Sequence, residues 1–280
     1  MKIDFFCPRW GSEAVDWLVF ARKIKADNFD GVEVFPLGGE RQNQNMVDIL
    51  YDTGLDYILI HAELKENGSN FNRYIDALER NLYNLLEYQN HQIKPRYIVS
   101  QTGREYFNMQ QMHQCFEICD RIAAESGIQI LQETHRNKWS YAAHIVKEYL
   151  IEFPSLRLAL DLSHWVCVSE SFLEDQQDAL ELAFRHADHI HARVGHTQGP
   201  QVTDPRAGEN KEALDHHLRW WDRWIALLMQ QGKNSATITP EFGPYPYMSY
   251  ILNSRQPAVD QYAINLWMMQ MLKNRYNTFN

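Results

Sequence analysis

Cysteine is scarce: Cys7, Cys115, Cys119 and Cys167 are the four in 280 residues. A core of this size forms without disulfides, and a bridge between Cys115 and Cys119, one helical turn apart, would be strained. Reduced, buried thiols are expected, and with them the cytoplasm. No apolar run approaches the ~18 residues of a membrane span. The opening MKIDFFCPRW enters a strand without the apolar segment of a signal peptide. Basic residues are outnumbered, 27 Lys and Arg against 36 Asp and Glu, for a net charge of −9. Nucleic-acid affinity rests on cations neutralising phosphates, so no nucleic-acid partner is expected. Gly-rich phosphate loops, Ser-nucleophile motifs and Cys-x-x-Cys pairs are missing. So are linkers, charge blocks and low-complexity segments, and 1–280 reads as one domain.

What is there alternates. Apolar runs that read as strands are Ile3–Phe6, Gly31–Phe35, Tyr57–His61, Tyr97–Ser100, Ile128–Glu133, Leu156–Asp161, His189–Val194 and Ala236–Glu241. Helical periodicity fills 13–27, 41–52, 69–89, 105–126, 140–152, 173–186, 209–231 and 257–274. Eight strands alternating with eight helices predict parallel βα units closed into a (β/α)8 TIM barrel. The segments after the strands are long and polar, PLGGERQNQ, HAELKENGSN and LSHWVCVSESFLE among them, while those entering strands are short. That asymmetry places function at the carboxyl ends of the strands.

Four of the last strands end on metal-type ligands: Glu133, Asp161, His191 and Glu241. Successive members are 28, 30 and 50 residues apart, about one βα unit each with one long insertion. Three carboxylates and one imidazole converging on one barrel face suit one divalent ion, Mn²⁺ or Mg²⁺ first, with Zn²⁺ or Co²⁺ also compatible. Arg193, two residues beyond His191, shares its strand face and is a candidate donor to a substrate oxygen. His164 in Asp-Leu-Ser-His is a candidate to fold back over the pocket. His61 and Glu33 are expected at the barrel mouth. Trp10, Trp165 and Phe242 follow strand ends, where an aromatic wall can face sugar C–H groups. Trp220, Trp221 and Trp224 repeat at helical spacing and read as packing.

Asn-Phe-Asp-Gly-Val-Glu (28–33), Glu-Thr-His (133–135), Asp-Leu-Ser-His (161–164), His-Ile-His-Ala-Arg (189–193) and Pro-Glu-Phe-Gly (240–243) appear in the order found in the xylose isomerase-like TIM-barrel superfamily. The chain resembles that group, which joins sugar isomerases and epimerases to endonuclease-IV-type (AP endonuclease family 2) enzymes. The resemblance implies a metal on Glu133, Asp161, His191 and Glu241, with Glu133 and Glu241 as acid and base across the sugar. It implies proton transfer α to a carbonyl through an enediolate, on a sugar or sugar phosphate. A metal would act there as Lewis acid, which agrees with the chemistry such a step needs.

One departure stands out. Ketose 3-epimerases continue from the metal histidine into Gly-Glu-x-Asn-Arg, whereas Ala192–Pro200 reads ARVGHTQGP. His196, Gln198 and Asp204 are candidates for a different substrate clamp. The alternative reading is a keto-cyclitol (inosose-type) dehydratase, which starts from the same proton abstraction. A nuclease is disfavoured because Gln101 and Asp204-Pro205-Arg206 stand where a trinuclear site needs histidines. A non-catalytic sugar-binding barrel has no need of two glutamates. The expected partner is a small carbohydrate, with no membrane, and self-association as a homo-oligomer stays open.

Overall fold

The computed structural model describes residues 1–37, 43, 45–62 and 70–277. Eight strands close into one barrel in chain order, each parallel to its neighbours. They are β1 (Lys2–Pro8), β2 (Gly31–Val34), β3 (Asp56–His61), β4 (Ile98–Ser100), β5 (Ile130–Glu133), β6 (Leu158–Leu160), β7 (Ala187–His191) and β8 (Ser235–Thr239). The described helices are α1 (Trp17–Ala26), α2 (Met46–Thr53), α3 (Phe71–Leu85), α4 (Met109–Ser126), α5 (Ala143–Glu152), α6 (Leu162–Ser169), α7 (Gln177–His186), α8 (Lys211–Gln230) and α9 (Gln261–Tyr276). Residues 41, 42 and 44 of the expected helix 41–52, and 63–69 of the loop after β3, lie outside the described residues. None of the described helices is long and apolar enough to cross a membrane. All four cysteines are unpaired.

Strand alternation sorts side chains between two cores. Phe5, Cys7, Val32, Val34, Tyr57, Leu59, Ile98, Leu158, Leu160, Ile190 and Ile238 face outward into the large core beneath the helices. Phe6, Ile58, Val99, Leu131 and Ala159 point inward as a small second core. The inner apolar set comes from β1 and from β3 to β6. On β2, β7 and β8 the same inward parity carries Glu33, His189, His191, Thr237 and Thr239, all buried. Trp221 and Trp224 are buried on α8 and Trp220 nearly so, as packing spacing predicts.

The ends of four strands fall short of the sequence expectation, β2 by one residue at Val34. Pro240 has no N–H to donate, so β8 stops at Thr239 and Glu241 sits two residues beyond it. The chain after His191 gives one last bond, Ala192 N to Thr239 O at 2.7 Å, then leaves for a His196–Gly199 turn. Asp161 leaves β6 to cap a helix, its Oδ1 accepting the Ser163 amide at 3.0 Å. The stretch expected as loop, LSHWVCVS, is therefore α6, an addition to the eight expected helices.

Gly31 opens β2 where two neighbours crowd it. A Cβ there would meet Asp56 O and Phe6 Cε1 at 2.5 Å each. Gly31→Ala should lower stability by about 1–3 kcal/mol, the usual cost of overpacking. Urea unfolding within 0.5 kcal/mol of wild type would show that the strand relaxes freely.

Candidate metal centre and its cavity

Inward parity carries Glu133 and His191 at the ends of β5 and β7, and Asp161 and Glu241 just past β6 and β8, to one place. Glu133, Asp161, His191 and Glu241 each offer a ligand atom, all within 4.8 Å of one another. Asp161 and His191 are fully buried and Glu133 nearly so. His191 Nε2 donates to Glu33 Oε1 at 2.9 Å. That bond turns Nδ1 toward the carboxylates, 3.0 Å from Glu241 Oε2 and 3.6 Å from Glu133 Oε1. Among the described residues, Nδ1 has no hydrogen bond of good geometry and neither oxygen of Glu133 accepts one, Oε1 meeting only the His191 ring at 3.6 Å. A ligating histidine held by a carboxylate on its other nitrogen is the usual second-shell arrangement. Buried carboxylate oxygens without donors are costly, and a cation removes that cost. The donor set, three carboxylates and one nitrogen, fits a hard or borderline divalent ion.

Four acids crowd the centre, Glu33, Glu133 and Asp161 buried and Glu241 partly exposed, and Arg193 balances part of the charge. Its Nε donates to Asp161 Oδ2 at 3.0 Å and its Nη2 to Glu241 Oε2. The guanidinium lies over the Tyr247 ring at 4.6 Å, and its Nη1 has no hydrogen-bond partner among the described residues. Burial raises the Asp161 carboxyl to about 6, against the pull of Arg193. Burial also pushes Glu241 upward, but His191 and Arg193 outweigh it and hold Glu241 at about 2. His191 is drawn well above the ordinary histidine value: burial opposes its charge, and Glu241 and Glu33 override burial. The cluster thus recruits positive charge wherever it can.

A cavity of about 490 Å³ opens over the centre, within the usual size of small-molecule sites. Glu33, Glu241, Arg193 and His135 face it, with Arg9, Trp10, Phe35, Gln101 and Tyr247 on its walls. Trp10 and Tyr247 meet edge to face at 5.2 Å.

No protein-family model matches the sequence, and neither does any curated protein. Solved structures match along nearly the whole chain. A probable 3-DHS dehydratase from Bacillus anthracis aligns at TM-score 0.62 and 17% identity, over 98% of this chain and 100% of its own. The 3-keto-D-glucoside 4-epimerase of E. coli aligns at 0.62 and 14%, with the same coverage. A xylose isomerase-like TIM barrel protein from Mycobacterium smegmatis, in complex with magnesium, aligns at 0.56 and 12%, over 97% of each chain. This chain has the xylose isomerase-like TIM barrel fold. At these identities the likeness is one of fold.

Within that barrel, the structure brings together the four expected ligands and Arg193. It leaves His164, His61, Trp165, His196 and Gln198 off the cavity lining. His164 is fully buried, its Nδ1 accepting from Arg136 at 2.8 Å and its Nε2 3.5 Å from Asp161 Oδ2, so it backs the centre. Trp165 packs in the core and donates to Ser140 O. His196 closes the turn with Gly199, and Gln198 is exposed at its tip. Asp204 is held by Arg206. Phe242 is buried in the core, whereas Trp10 does stand on the wall. Arg9, His135 and Tyr247 were not singled out from sequence. Tyr247 carried a signal, its place in the aromatic segment after β8.

His61 sits on β3 with Nδ1 on Ser100 Oγ at 2.8 Å, and burial depresses it to about 3. A histidine kept neutral in the fold stabilises above its unfolded value near 6.5, and that stability is lost as pH falls toward the folded value. From pH 6.5 to 4.5 this one residue should cost about 2 kcal/mol. Urea titrations of His61→Gln should show a pH dependence shallower by that amount. An identical slope would mean that His61 titrates normally.

Proposed function

We propose that the chain is a divalent-metal-dependent enzyme that moves a proton α to the carbonyl of a sugar or sugar phosphate, an isomerase or epimerase. The observation that carries this reading is the pair Glu133 and Glu241 against one imidazole, with both Glu133 oxygens buried and accepting no hydrogen bond among the described residues. Glu133, Asp161, His191 and Glu241 would hold the ion. When bound, it supplies a Lewis acid that stabilises negative charge on the substrate's oxygens. Mn²⁺ and Mg²⁺ suit these donors best, and the magnesium complex of one fold relative supports a hard ion.

The chain's own groups divide the rest of the work. Glu241 is ionised at neutral pH and faces the cavity, which suits a base taking the proton from carbon. Glu133, which burial pushes upward but His191 holds below the usual carboxylate range, takes up a proton from solvent before it delivers one to the opposite face of that carbon. Glu33 keeps the His191 ring turned. Arg193 lines the cavity with Nη1 free of protein partners and donates to a substrate oxygen. Trp10 and Tyr247 cover sugar C–H faces and keep water from the site.

A dehydratase is the second reading, favoured by the fold shared with a probable 3-DHS dehydratase. It begins with the same abstraction at Glu241 and then expels a β-hydroxyl as water.

The tests follow the roles. One Mn²⁺ per chain should bind, and more weakly at pH 6 than at pH 8, because the proton favoured on His191 must leave first. Calorimetry showing no binding, or binding that tightens in acid, rejects the centre. A ketose substrate in deuterated water should gain deuterium beside its carbonyl; label with loss of water moves the assignment to the dehydratase. Glu133→Gln and Glu241→Gln should each slow turnover about 10²–10⁴-fold with metal content measured alongside. Near-normal turnover in a metal-loaded variant removes that glutamate from the mechanism.

A further inference from the structure

The cavity wall holds a second buried guanidinium, and this one has no paired carboxylate among the described residues. Arg9 follows β1, is 4% exposed and lines the cavity. Its planar group lies between the Trp17 and Phe20 rings, 4.4 and 4.5 Å from their centroids. Nη2 donates to the backbone carbonyls of Glu13 and Val15. Nη1 is buried and has no partner among the described residues. No described carboxylate comes within 4.0 Å of Arg9, and Glu13 and Asp16 act on it from farther away.

The contrast with Arg193 is direct, since Arg193 is bound by Asp161 and Glu241. The acids of the same wall are engaged elsewhere: Glu33 accepts from His191, Glu241 from Arg193 and Glu13 from the Gly11 amide. A guanidinium stays protonated even when buried. Isolated buried charge is strongly unfavourable unless a partner arrives. The aromatic rings hold the guanidinium plane fixed at the cavity wall.

We propose that the substrate is a polyol carrying a terminal anionic oxygen group, a carboxylate or a phosphate, received by Arg9 Nη1. This rests on reading the cavity as a sugar site, and it narrows the substrate class to sugar acids and sugar phosphates. The carbonyl end lies at Glu241 and Arg193, the anionic end at Arg9. Recognition and chemistry then use different charges.

The test is calorimetric binding of three six-carbon probes, neutral D-glucitol, D-gluconate and D-glucitol 6-phosphate, to the Mn²⁺-loaded protein and to Arg9→Gln and Arg9→Met. The methionine keeps an apolar stem against Trp17 and Phe20 in case glutamine does not fold. Wild type should bind one of the anions at least about tenfold more tightly than glucitol, ~1.4 kcal/mol. The favoured anion names the group. In the variants that preference should vanish while glucitol affinity, which certifies the folded cavity, stays within about twofold. Equal binding of all three probes by wild type overturns the proposal. So does a preference intact in either folded variant, since the anion would then sit on the ion. Deuterium exchange on a neutral ketose without any anion preference sinks this inference and leaves the isomerase reading standing. An Arg9-dependent preference with no exchange on any substrate does the reverse.

Discussion

His191 Nε2 rests on Glu33 Oε1 at 2.9 Å, a bond between residues 158 positions apart in the chain. It fixes which nitrogen carries hydrogen and which way the ring faces. From that follows the position of Nδ1, 3.0 Å from Glu241 and 3.6 Å from Glu133, where a lone pair can meet an ion. Without Glu33, the ring could flip and the three carboxylates would surround a donor instead of an acceptor. Support of this sort is what makes a metal site specific in orientation. His189, below on the same strand, is held by Thr237 Oγ1 at 2.8 Å, so the layer beneath the centre is tied as well.

Arg193 carries the second constraint. The barrel gathers more negative charge than a buried interior tolerates, and Arg193 compensates two of the acids at once. Its stacking on Tyr247 gives it a fixed plane. It therefore belongs to both the centre and the cavity, whereas His164 and Arg136 act only from behind. It also separates the two acids it touches: burial lifts Asp161 to about 6 against its pull, while Glu241, also beside His191, is held at about 2.

Much of this was legible in the chain because two periodicities are local. Their places at or near the ends of four apolar runs brought Glu133, Asp161, His191 and Glu241 to one barrel face, and βα spacing put them in adjacent units. What escaped depended on the neighbours of each strand. Where β6 ends is decided by Asp161 turning its carboxylate to the Ser163 amide, which the apolar run alone does not reveal. The same turn hid α6 and carried His164 and Trp165 inward, away from the cavity they were expected to line. His196 and Gln198 were assigned by their place after His191, but the path of that loop is set by the His196–Gly199 turn. Arg9 had no motif to announce it; its meaning comes from two rings on α1 and from a missing partner.

The inner wall of the barrel is split lengthwise, with apolar side chains on β3 to β6 and polar ones on β7, β8 and β2. The proposed ion-holding residues belong to the arc from β5 to β8, while Arg9, Trp10 and Phe35 follow β1 and β2. With the proposed roles, recognition and reactivity sit on separate arcs. Changes around β1 can retune which molecule enters while the ion stays seated, and Glu33 on β2 is the hinge point where the two arcs become one device.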